Sequence, residues 1–382
     1  MADAHTDAQR LTQAFIDLDH LRHNFRLLEE QVRPAEVWPV LKANGYGHDA
    51  AMVAAHLLRL GCRTFCVADV EEAIALADRG ARATFIILSA TLPQHSEALV
   101  AYDCQPVVCT IEMVEALAAA AKKCGKRLAV HVKVDTGMGR VGIAPEQVAP
   151  FLDRCRDFPA LGVRGLMSHF PRADEVDPSY SIAQLDRFRD IVEKTKSYGI
   201  KTRHMANSAA IFALPGSYFD AVRPGIALYG LQPSPSFAHS AARELKPVLQ
   251  LKTRIVFLKE VAGGAGLSYG HTFHAQTPSL IATLPIGYGD GLSRNLSGRI
   301  DVLVRGVRCP QVGRITMDMS LIDVTALRGQ AALGDEAVII GRQGREEITA
   351  DELAAKLGTI NYEIVTAISH RVPRLAIETN SE

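Results

Sequence analysis

The sequence has little that points to a membrane, to nucleic acid or to an oxidising compartment. No apolar run approaches the roughly 20 residues that cross a bilayer, and the polar N-terminus, MADAHTDAQRLTQ, has no apolar signal segment. Lys+Arg and Asp+Glu both total 42, so no excess of one charge favours nucleic acid or an anionic membrane as partner. The seven cysteines form no CxxC pair and several lie in apolar runs, which is typical of reduced, packed thiols. We therefore expect a soluble cytoplasmic protein.

The short motifs that mark many nucleotide and metal sites are also absent. There is no GxxxxGK[ST] loop, and no GxGxxG follows the first predicted strand. The thirteen histidines show neither HxxxH nor HExxH spacing, so we predict no catalytic metal.

The first 230 residues contain a repeated alternation of apolar runs and helical patterns. The helical stretches, such as IEMVEALAAAAKKCG, have apolar residues three and four apart and end on glycine. Eight such repeats in about 200 residues predict an α/β fold with a (β/α)8 TIM-like barrel, with an open doubly wound sheet as the alternative. An earlier run, AFIDLD (14–19), is a ninth candidate strand and should lie outside the barrel. The eight runs are VWPVLK (37–42), FCVAD (65–69), TFIIL (84–88), QPVVC (105–109), LAVHVKVDT (128–136), VRGLMSH (163–169), TRHMAN (202–207) and VRPGIALYG (222–230).

The pattern changes after the Pro/Ser-rich stretch GLQPSPSFAHSAARELKP, which indicates a domain boundary. From Val248 onwards the chain is rich in strand-like runs separated by glycine turns. Only one clear helix, ITADELAAKLG, is predicted there, with Thr349 as its N-cap. We predict a barrel domain over residues 1–243 and a C-terminal, mainly-β domain over residues 244–382.

Unusual residues fall at the carboxyl ends of the predicted barrel strands, where barrel enzymes carry their reacting groups. They are Lys42 at the end of the first strand, VDTGMGR (134–140) leaving the fifth, His169 at the end of the sixth, Asn207 and Ser208 at the end of the seventh, and Arg223 in the eighth. Ser208 offers a hydroxyl to a phosphate, and Gly225 and Ile226 offer backbone N–H groups. A lysine amine, a phosphate cradle and an arginine on one barrel face fit pyridoxal 5′-phosphate (PLP) held as a Schiff base.

At this point a family resemblance becomes specific. In order along the chain, nine segments from Val37 to Arg374 resemble those of the alanine racemases, which are PLP enzymes of fold-type III. They are EVWPVLKANGYGH, HVKVDTGMGRVG, MSHF, HMANSAA, VRPGIALYG, GLSYG, PIGYGDG, GRITMDM and INYE, the last followed by RVPR.

The resemblance implies two opposed acid/base groups, Lys42 and Tyr269. Lys42 would hold PLP, and its pKa should fall through burial and neighbouring cations so that the amine can react. Racemisation returns a proton to the opposite face of Cα, and two opposed groups achieve this without moving around the substrate. In the family this tyrosine comes from the partner subunit, so a homodimer with shared active sites is expected. His169 and Arg223 resemble the relay behind the tyrosine, and Arg223 would face the pyridine nitrogen without giving up its proton.

The remaining site residues are likewise implied by the resemblance. Tyr46, Leu88, Asn207, Ser208, Arg223, Gly225, Ile226 and Tyr362 would bind the cofactor, and Arg140, Met317, Asp318, Tyr288 and Lys133 would bind or orient the substrate. Lys133 matches a position that is carbamylated in many family members, where the resulting anion would orient Arg140. Tyr288 and Tyr362 would form a constriction that leaves room for a small side chain.

The expected activity is therefore interconversion of L- and D-alanine, which supplies D-alanine for peptidoglycan. A racemase of broader specificity, acting on serine or lysine, is the first alternative, and Lys133 argues against it because broad-specificity relatives tend to replace that lysine. A related decarboxylase would need a glutamate near the pyridine nitrogen, where Arg223 stands. A non-catalytic PLP carrier would lack the second domain, and with it Tyr269 and Met317.

Overall fold

The computed structural model describes residues 10–237 and 239–378. It divides into two compact units. One is His20–Lys246, and the other joins the described parts of Met1–Asp19 and Pro247–Glu382. The division after Lys246 is three residues from the predicted boundary, but the predicted domain of residues 1–243 differs from the barrel unit by the N-terminal segment.

The described strands and helices follow the chain in this order. The strands are β1 (Gln13–Asp17), β2 (Glu36–Val37), β3 (Thr64–Val67), β4 (Thr84–Ile87), β5 (Gln105–Val108), β6 (Leu128–Lys133), β7 (Leu161–Met167), β8 (Thr202–His204), β9 (Ala221–Val222), β10 (Leu249–Arg254), β11 (Phe257–Val261), β12 (Gly266–Leu267), β13 (Phe273–His274), β14 (Ser279–Leu284), β15 (Asp301–Val304), β16 (Val307–Val312), β17 (Ser320–Asp323), β18 (Glu336–Gln343), β19 (Glu346–Ile348) and β20 (Arg374–Ile377). The helices are α1 (Leu18–Val32), α2 (Lys42–Tyr46), α3 (Ala50–Arg59), α4 (Val70–Asp78), α5 (Ser96–Ala101), α6 (Ile111–Lys123), α7 (Val148–Cys155), α8 (Ser179–Lys194), α9 (Ser208–Ala213), α10 (Ala350–Leu357) and α11 (Asn361–Ala367).

Strands β2 to β9 form a parallel sheet that closes on itself. Their spatial order is β2-β9-β8-β7-β6-β5-β4-β3, and a parallel bridge between Val40 and Cys66 joins the two ends. Cys66 N–H donates to the Pro39 carbonyl at 2.8 Å, and Leu41 N–H donates to the Cys66 carbonyl at 2.8 Å. The eight predicted barrel strands are therefore confirmed in the predicted order. Their continuous apolar runs are buried because helices cover the outside of a parallel barrel.

The second unit is built on a ten-stranded sheet. Its main path runs β11-β14-β17-β16-β15-β18-β10-β1-β20, and β19 pairs with β18. Strand β1 contains most of the ninth candidate run; it pairs antiparallel with β10 and parallel with β20, which places it outside the barrel as predicted. Local sequence could not show this assignment, because the partners of β1 lie more than 200 residues further along the chain.

Two helices, rather than the single one predicted, occur in the described part of this unit. Thr349 caps α10 as expected, since its hydroxyl accepts from Glu352 N–H at 3.0 Å. Helix α11 was missed because its N-cap residue, Ile360, makes no capping hydrogen bond through its side chain.

The state of the cysteines and the character of the helices can be stated for the described chain. All seven cysteines are free thiols; five are buried, including Cys309, whereas Cys109 is partly buried and Cys124 is exposed. Among the residues that the structure describes, no helix is both long enough and apolar enough to cross a membrane. The N-terminal residues 1–9, which carry most of the polar segment noted above, lie outside the described chain.

Candidate active site

Lys42 lies just after the first barrel strand, at a turn with an unusual backbone. The next residues Ala43, Asn44 and Tyr46 have φ of 52°, 53° and 53°. This left-handed region costs a non-glycine residue roughly 1–2 kcal/mol. Strained backbone of this kind persists where the surrounding structure holds it, commonly at functional sites. The turn therefore marks Lys42 as a candidate reacting group.

Glu72 holds this turn and contributes to the electrostatics of the lysine. Its carboxylate oxygens accept from Ala43 N–H at 2.6 Å and from Ala68 N–H at 2.8 Å. Burial lowers the pKa of Lys42, the positive charge of Arg140 lowers it further, and Glu72 acts in the opposite direction. The amine is thus deprotonated more readily than that of an ordinary lysine, as a nucleophile or base requires.

Further cations lie around this end of the barrel. Burial, followed by the charges of Arg223 and Arg140, lowers the pKa of Lys133 to about 8, and its amine donates to the Leu88 carbonyl at 3.4 Å. Arg140 is exposed, and within residues 10–237 and 239–378 its guanidinium has no hydrogen-bonding or ionic partner. Positive charge with so little compensation favours the binding of an anion.

Arg223 is 2% exposed and anchors the next part of the site. Its Nη2 donates to the Ser168 carbonyl at 2.8 Å and to the Met205 carbonyl at 3.2 Å, and lies 3.3 Å from Nδ1 of His169. A guanidinium can only donate, so Nδ1 of His169 is the acceptor. Burial lowers the pKa of Arg223 to about 10, which leaves it a cation at neutral pH. Burial and then Arg223 lower the pKa of His169 well below its ordinary value, so His169 is neutral.

Two buried histidines that we did not predict extend this arrangement. Nη1 of Arg223 lies 2.6 Å from Nδ1 of His204, Nε2 of His204 lies 2.9 Å from Nδ1 of His131, and Nε2 of His131 lies 3.0 Å from Oε1 of Gln105. One feature of the sequence could have pointed to these histidines: His131 interrupts the apolar strand LAVHVKV at a position facing the barrel interior. A lone histidine in a strand is usually a packed core residue, so this signal pointed to structure rather than to the site.

The loops after the seventh and eighth barrel strands are joined at Ser208. Its hydroxyl oxygen accepts from Gly225 N–H at 2.9 Å and from Ala227 N–H at 3.2 Å. The N–H of Gly225, expected to be available to a phosphate, is therefore already used by this hydroxyl. A Cβ on Gly225 would lie 2.2 Å from the Tyr46 hydroxyl, so the close approach of Tyr46, in the turn after the first barrel strand, requires glycine at position 225. Ile226 begins the buried turn that follows.

Asn207 places the short helix α9 against the loop that follows β7, the sixth strand of the barrel. Its Oδ1 accepts from Ala210 N–H at 3.1 Å, which caps α9, and its Nδ2 donates to the Phe170 carbonyl at 3.1 Å. Asn207 thus orients neighbouring groups, in agreement with its position before Ser208.

In the second unit, Tyr269 stands at the tip of a strained turn. The residue before it, Ser268, has φ of 61°, and its hydroxyl donates to the Arg314 carbonyl at 2.6 Å. Tyr269 itself is 71% exposed. The turn therefore presents the phenol outward instead of packing it into the unit's own core.

Tyr288 and Met317 lie in two loops of this unit that pair through their backbones. Tyr288 N–H donates to the Thr316 carbonyl at 3.0 Å, and Gly289 N–H donates to the Met317 carbonyl at 2.9 Å. Tyr288 is 42% exposed and Met317 is 53% exposed. The exposed apolar side chains of these loops are unusual for a surface with no partner.

Asp318 and Tyr362 are the remaining residues of this unit that were predicted to belong to the site, and their surroundings differ. Asp318 accepts from Nη2 of Arg371 at 2.6 Å, so its carboxylate is already paired. Tyr362 is partly buried in the first turn of α11.

The structure thus gathers the predicted barrel residues at one end of the barrel. The charges of Arg140, Arg223, Lys133 and Lys42 all lower the pKa of His169, which shows how closely these groups are grouped. Tyr269, Tyr288, Met317 and Asp318 belong to adjoining loops of the second unit. A (β/α)8 barrel that carries Lys42, with its lowered pKa, and several arginines at the carboxyl ends of its strands, combined with a mainly-β unit, is typical of an enzyme.

Comparison with known proteins identifies which enzymes share this arrangement. The family description "Alanine racemase, N-terminal domain" matches residues 16–233, and "Alanine racemase, C-terminal domain" matches residues 248–376. The chain therefore belongs to the alanine racemase family, and it is an isomerase.

Individual relatives cover nearly the whole chain. An alanine racemase of Sorangium cellulosum is 43% identical over 378 residues, covering 96% of this chain and 98% of that protein. An alanine racemase of Carboxydothermus hydrogenoformans is 43% identical over 366 residues, covering 95% of this chain and 99% of that protein. Among solved structures, the alanine racemase of Clostridium difficile is 33% identical with a TM-score of 0.92, covering 98% of this chain and 97% of that one. The alanine racemase of Bacillus anthracis with bound L-Ala-P is 37% identical with a TM-score of 0.91, covering 98% of this chain and 96% of that one.

Proposed function

We propose that this protein interconverts L- and D-alanine with pyridoxal 5′-phosphate, using Lys42 and the Tyr269 of a second copy as opposed acid/base groups. The observation that carries the proposal is the lowered pKa of Lys42 beside Arg140, which has no ionic partner among the described residues. To process an amino acid, an enzyme needs an amine that is readily neutral, so that it can react, and a cation without an anionic partner, so that it can bind the substrate carboxylate. The structure solved with L-Ala-P in a relative supports an alanine-sized substrate.

The residues present fit PLP. Hydroxyls of Ser208 and Tyr46 both lie at the loop of Gly225: Ser208 Oγ accepts from Gly225 N–H at 2.9 Å, and the missing side chain of Gly225 leaves room for the Tyr46 hydroxyl, which suits a phosphate held mainly by hydroxyl groups. Lys42 would hold the cofactor covalently, and Arg223 would donate to the pyridine nitrogen. When bound, PLP would withdraw electrons from the substrate Cα and make its proton acidic.

Side chains of the protein would then move the proton and bind the substrate. Lys42 would hold or accept a proton at one face of Cα, while Tyr269 of the second copy would do so at the other face. Arg140 would bind the substrate carboxylate. Arg223, a cation at neutral pH, would keep its proton, which limits electron withdrawal into the ring and disfavours decarboxylation and transamination.

We further propose a homodimer in which each active site uses residues of both copies. Tyr269 is 71% exposed, and exposed Tyr288 and Met317 lie in paired loops of the same unit. Burial of such apolar surface is what a stable interface supplies. The phenol would thereby enter the water-poor surroundings that an acid/base group requires.

The cellular role that we propose is supply of D-alanine for peptidoglycan in the cytoplasm. Seven free cysteines, five of them buried, support a reducing compartment. A racemase acting on serine or lysine is the second candidate, and Lys133 beside Arg140 is the feature that argues for alanine.

Two measurements test the proposal. Borohydride reduction of the PLP-loaded protein followed by peptide mapping should place the reduced adduct on Lys42; an adduct on another residue contradicts the assignment. Rates of enantiomer conversion and of Cα hydrogen exchange for alanine, serine and lysine should be highest for alanine. Comparable rates for all three would favour the broader racemase.

A further inference from the structure

The loop that carries Arg140 is held from within by one carboxylate. Oδ1 of Asp135 accepts from the N–H groups of Gly137 at 2.9 Å, Met138 at 2.8 Å and Gly139 at 3.1 Å. Three consecutive backbone donors on one oxygen fix the conformation of the loop, but they do not fix its position relative to the barrel.

Helix α8 supplies three side-chain contacts that position the loop, in addition to the contact between the Thr136 and Ser168 hydroxyls at 2.8 Å. The Tyr180 hydroxyl donates to the Gly137 carbonyl at 2.6 Å, and Nη1 of Arg187 donates to the Thr136 carbonyl at 2.8 Å. Between them, Nε2 of Gln184 lies 3.4 Å from the Thr136 hydroxyl. The spacing i, i+4, i+7 places these three side chains on one face of the helix. One helix face therefore holds the backbone just before Arg140.

The shape of the loop is matched to this helix face. Gly137 has φ of 136°, and a Cβ there would lie 2.7 Å from the Tyr180 hydroxyl and 3.2 Å from Nη1 of Arg187. The loop can contact both side chains only because this residue is glycine. The guanidinium of Arg172 lies 5.4 Å from the centroid of the Tyr180 ring, which restricts the ring from its other side.

We propose that Tyr180 and Arg187 are positioning residues that set the location of Arg140 and thereby the affinity for the substrate carboxylate. This inference rests on the proposed function, in which Arg140 binds that carboxylate. Among the described residues Arg140 has no partner of its own, so with Lys133 unmodified the position of its loop sets where the guanidinium lies. A carboxylate is bound before and throughout the reaction, so a displaced Arg140 raises KM more than it lowers kcat.

The first test removes one hydroxyl. Tyr180→Phe keeps the ring and its contact with Arg172 but loses the bond to the Gly137 carbonyl. A hydrogen bond's net contribution predicts a rise in KM for alanine of about 2- to 10-fold, with kcat changed by less than about twofold. The dissociation constant of propionate, which is alanine without its amino group, should rise by the same factor. Bound PLP should be unchanged.

A matched control is available in Tyr198→Phe. The Tyr198 hydroxyl also contacts oxygens of a neighbouring helix, Oδ1 of Asp153 at 3.0 Å and the Ala149 carbonyl at 3.3 Å, and the guanidinium of Arg156 lies 4.5 Å from its ring centroid. Because Tyr198 contacts α7 instead of the Arg140 loop, its variant should keep KM and propionate affinity. Equal effects of the two substitutions would show a general loss of stability and overturn the proposal.

The second test uses a pair of arginines on the same helix. Arg187→Met removes the bond to the Thr136 carbonyl, whereas Arg189→Met removes an equivalent bond, from Nη2 to the Gly216 carbonyl at 3.1 Å, on another side of α8. Only Arg187→Met should weaken propionate binding. This pair keeps the proposal testable if Tyr180→Phe does not fold.

A double-mutant cycle decides whether Tyr180 acts through Arg140. If it does, Tyr180→Phe should have little further effect on propionate affinity once Arg140→Met, which removes the cation, is present. Additive effects would overturn the proposal. Propionate binding, measured by calorimetry on PLP-loaded protein, needs no turnover. A protein that binds propionate without racemising alanine would contradict the proposed function alone, whereas equal propionate affinity in wild type and in both Tyr180→Phe and Arg187→Met would contradict the positioning role alone.

Discussion

Nη1 of Arg223 lies 2.6 Å from Nδ1 of His204, and this contact determines the protonation of two buried imidazoles. The guanidinium has no acceptor, so Nδ1 of His204 carries no proton and its Nε2 donates to Nδ1 of His131. Nε2 of His131 then donates to Gln105. Arg223 is the only cation of this chain of hydrogen bonds, and both imidazoles are neutral.

The neutrality of His131 predicts a pH dependence of stability. Burial lowers the pKa of His131 to about 3, below the usual 6.5, so between these values the unfolded chain binds a proton that the folded one does not. The free energy of unfolding should therefore fall by about 2 kcal/mol between pH 7 and pH 5 through this residue. Urea unfolding at both pH values should show the fall in wild type and in the exposed-site control His370→Gln, and a smaller fall in His131→Gln. The same fall in all three would contradict the prediction.

The close packing of His131 against strand β7 predicts a strong effect of one methyl group. A Cβ on Gly165 would lie 1.9 Å from Nδ1 of His131, whereas on Gly162 the nearest atom outside the chain neighbours would be Arg127 Nε at 3.6 Å. Gly165→Ala should lower the free energy of unfolding by at least about 1–3 kcal/mol. Gly162→Ala, on the same strand, should be close to wild type. Equal losses in urea unfolding would show that the contact with the imidazole is not the cause.

The approach of Tyr46 to Gly225 predicts a loss of cofactor affinity. In Gly225→Ala the new Cβ would lie 2.2 Å from the Tyr46 hydroxyl and would push the two loops apart. We expect PLP to bind at least about tenfold more weakly, since positioned phosphate contacts are lost. Titration of the apo-protein followed by absorbance measures this, with Gly162→Ala as control. Unchanged affinity would place the phosphate elsewhere.

The proposed sharing of each active site between two copies predicts complementation between two inactive variants. Lys42→Ala should lose the cofactor adduct, and Tyr269→Phe should lose racemisation in at least one direction while it keeps PLP. In a mixed dimer, one of the two sites would combine an intact Lys42 with an intact Tyr269. Unfolding and refolding an equal mixture should therefore restore about a quarter of wild-type activity. If each site used its own chain's tyrosine, the mixture would remain inactive.

The lowered pKa of Lys133 predicts its modification by carbon dioxide. Its pKa of about 8 means that roughly half of the amines are neutral at pH 8, against well under one in a hundred for an ordinary lysine. The neutral nitrogen would bond to the carbon of CO2 and release a proton to water, giving a carbamate that can pair with Arg140. With ¹³C-bicarbonate and Lys42 occupied by reduced PLP, an NMR carbamate signal should grow from pH 7 to 9. It should persist in Lys201→Met and be absent in Lys133→Met.

Sequence reasoning predicted the barrel and placed candidate site residues at one of its ends, but it did not identify the residues that contact them. Lys42, His169 and Arg223 stand at strand ends, where a barrel gathers its reactive groups, so their order along the chain was informative. Glu72 and His204 gave no such signal. Glu72 reads as an ordinary residue in the first turn of a helix, and its contact with the Lys42 turn arises only after two strands have paired.

By itself, the sequence determined the alternation of strands and helices and the motifs of an alanine racemase, because these depend on local periodicity and on short segments. Only the tertiary structure decided that β1 completes the second unit's sheet, that Arg223 orders a chain of neutral histidines, and that α8 holds the Arg140 loop. These features depend on contacts between residues far apart in the chain. Packing and burial set the geometry of such contacts, and they produce no periodic pattern in the sequence.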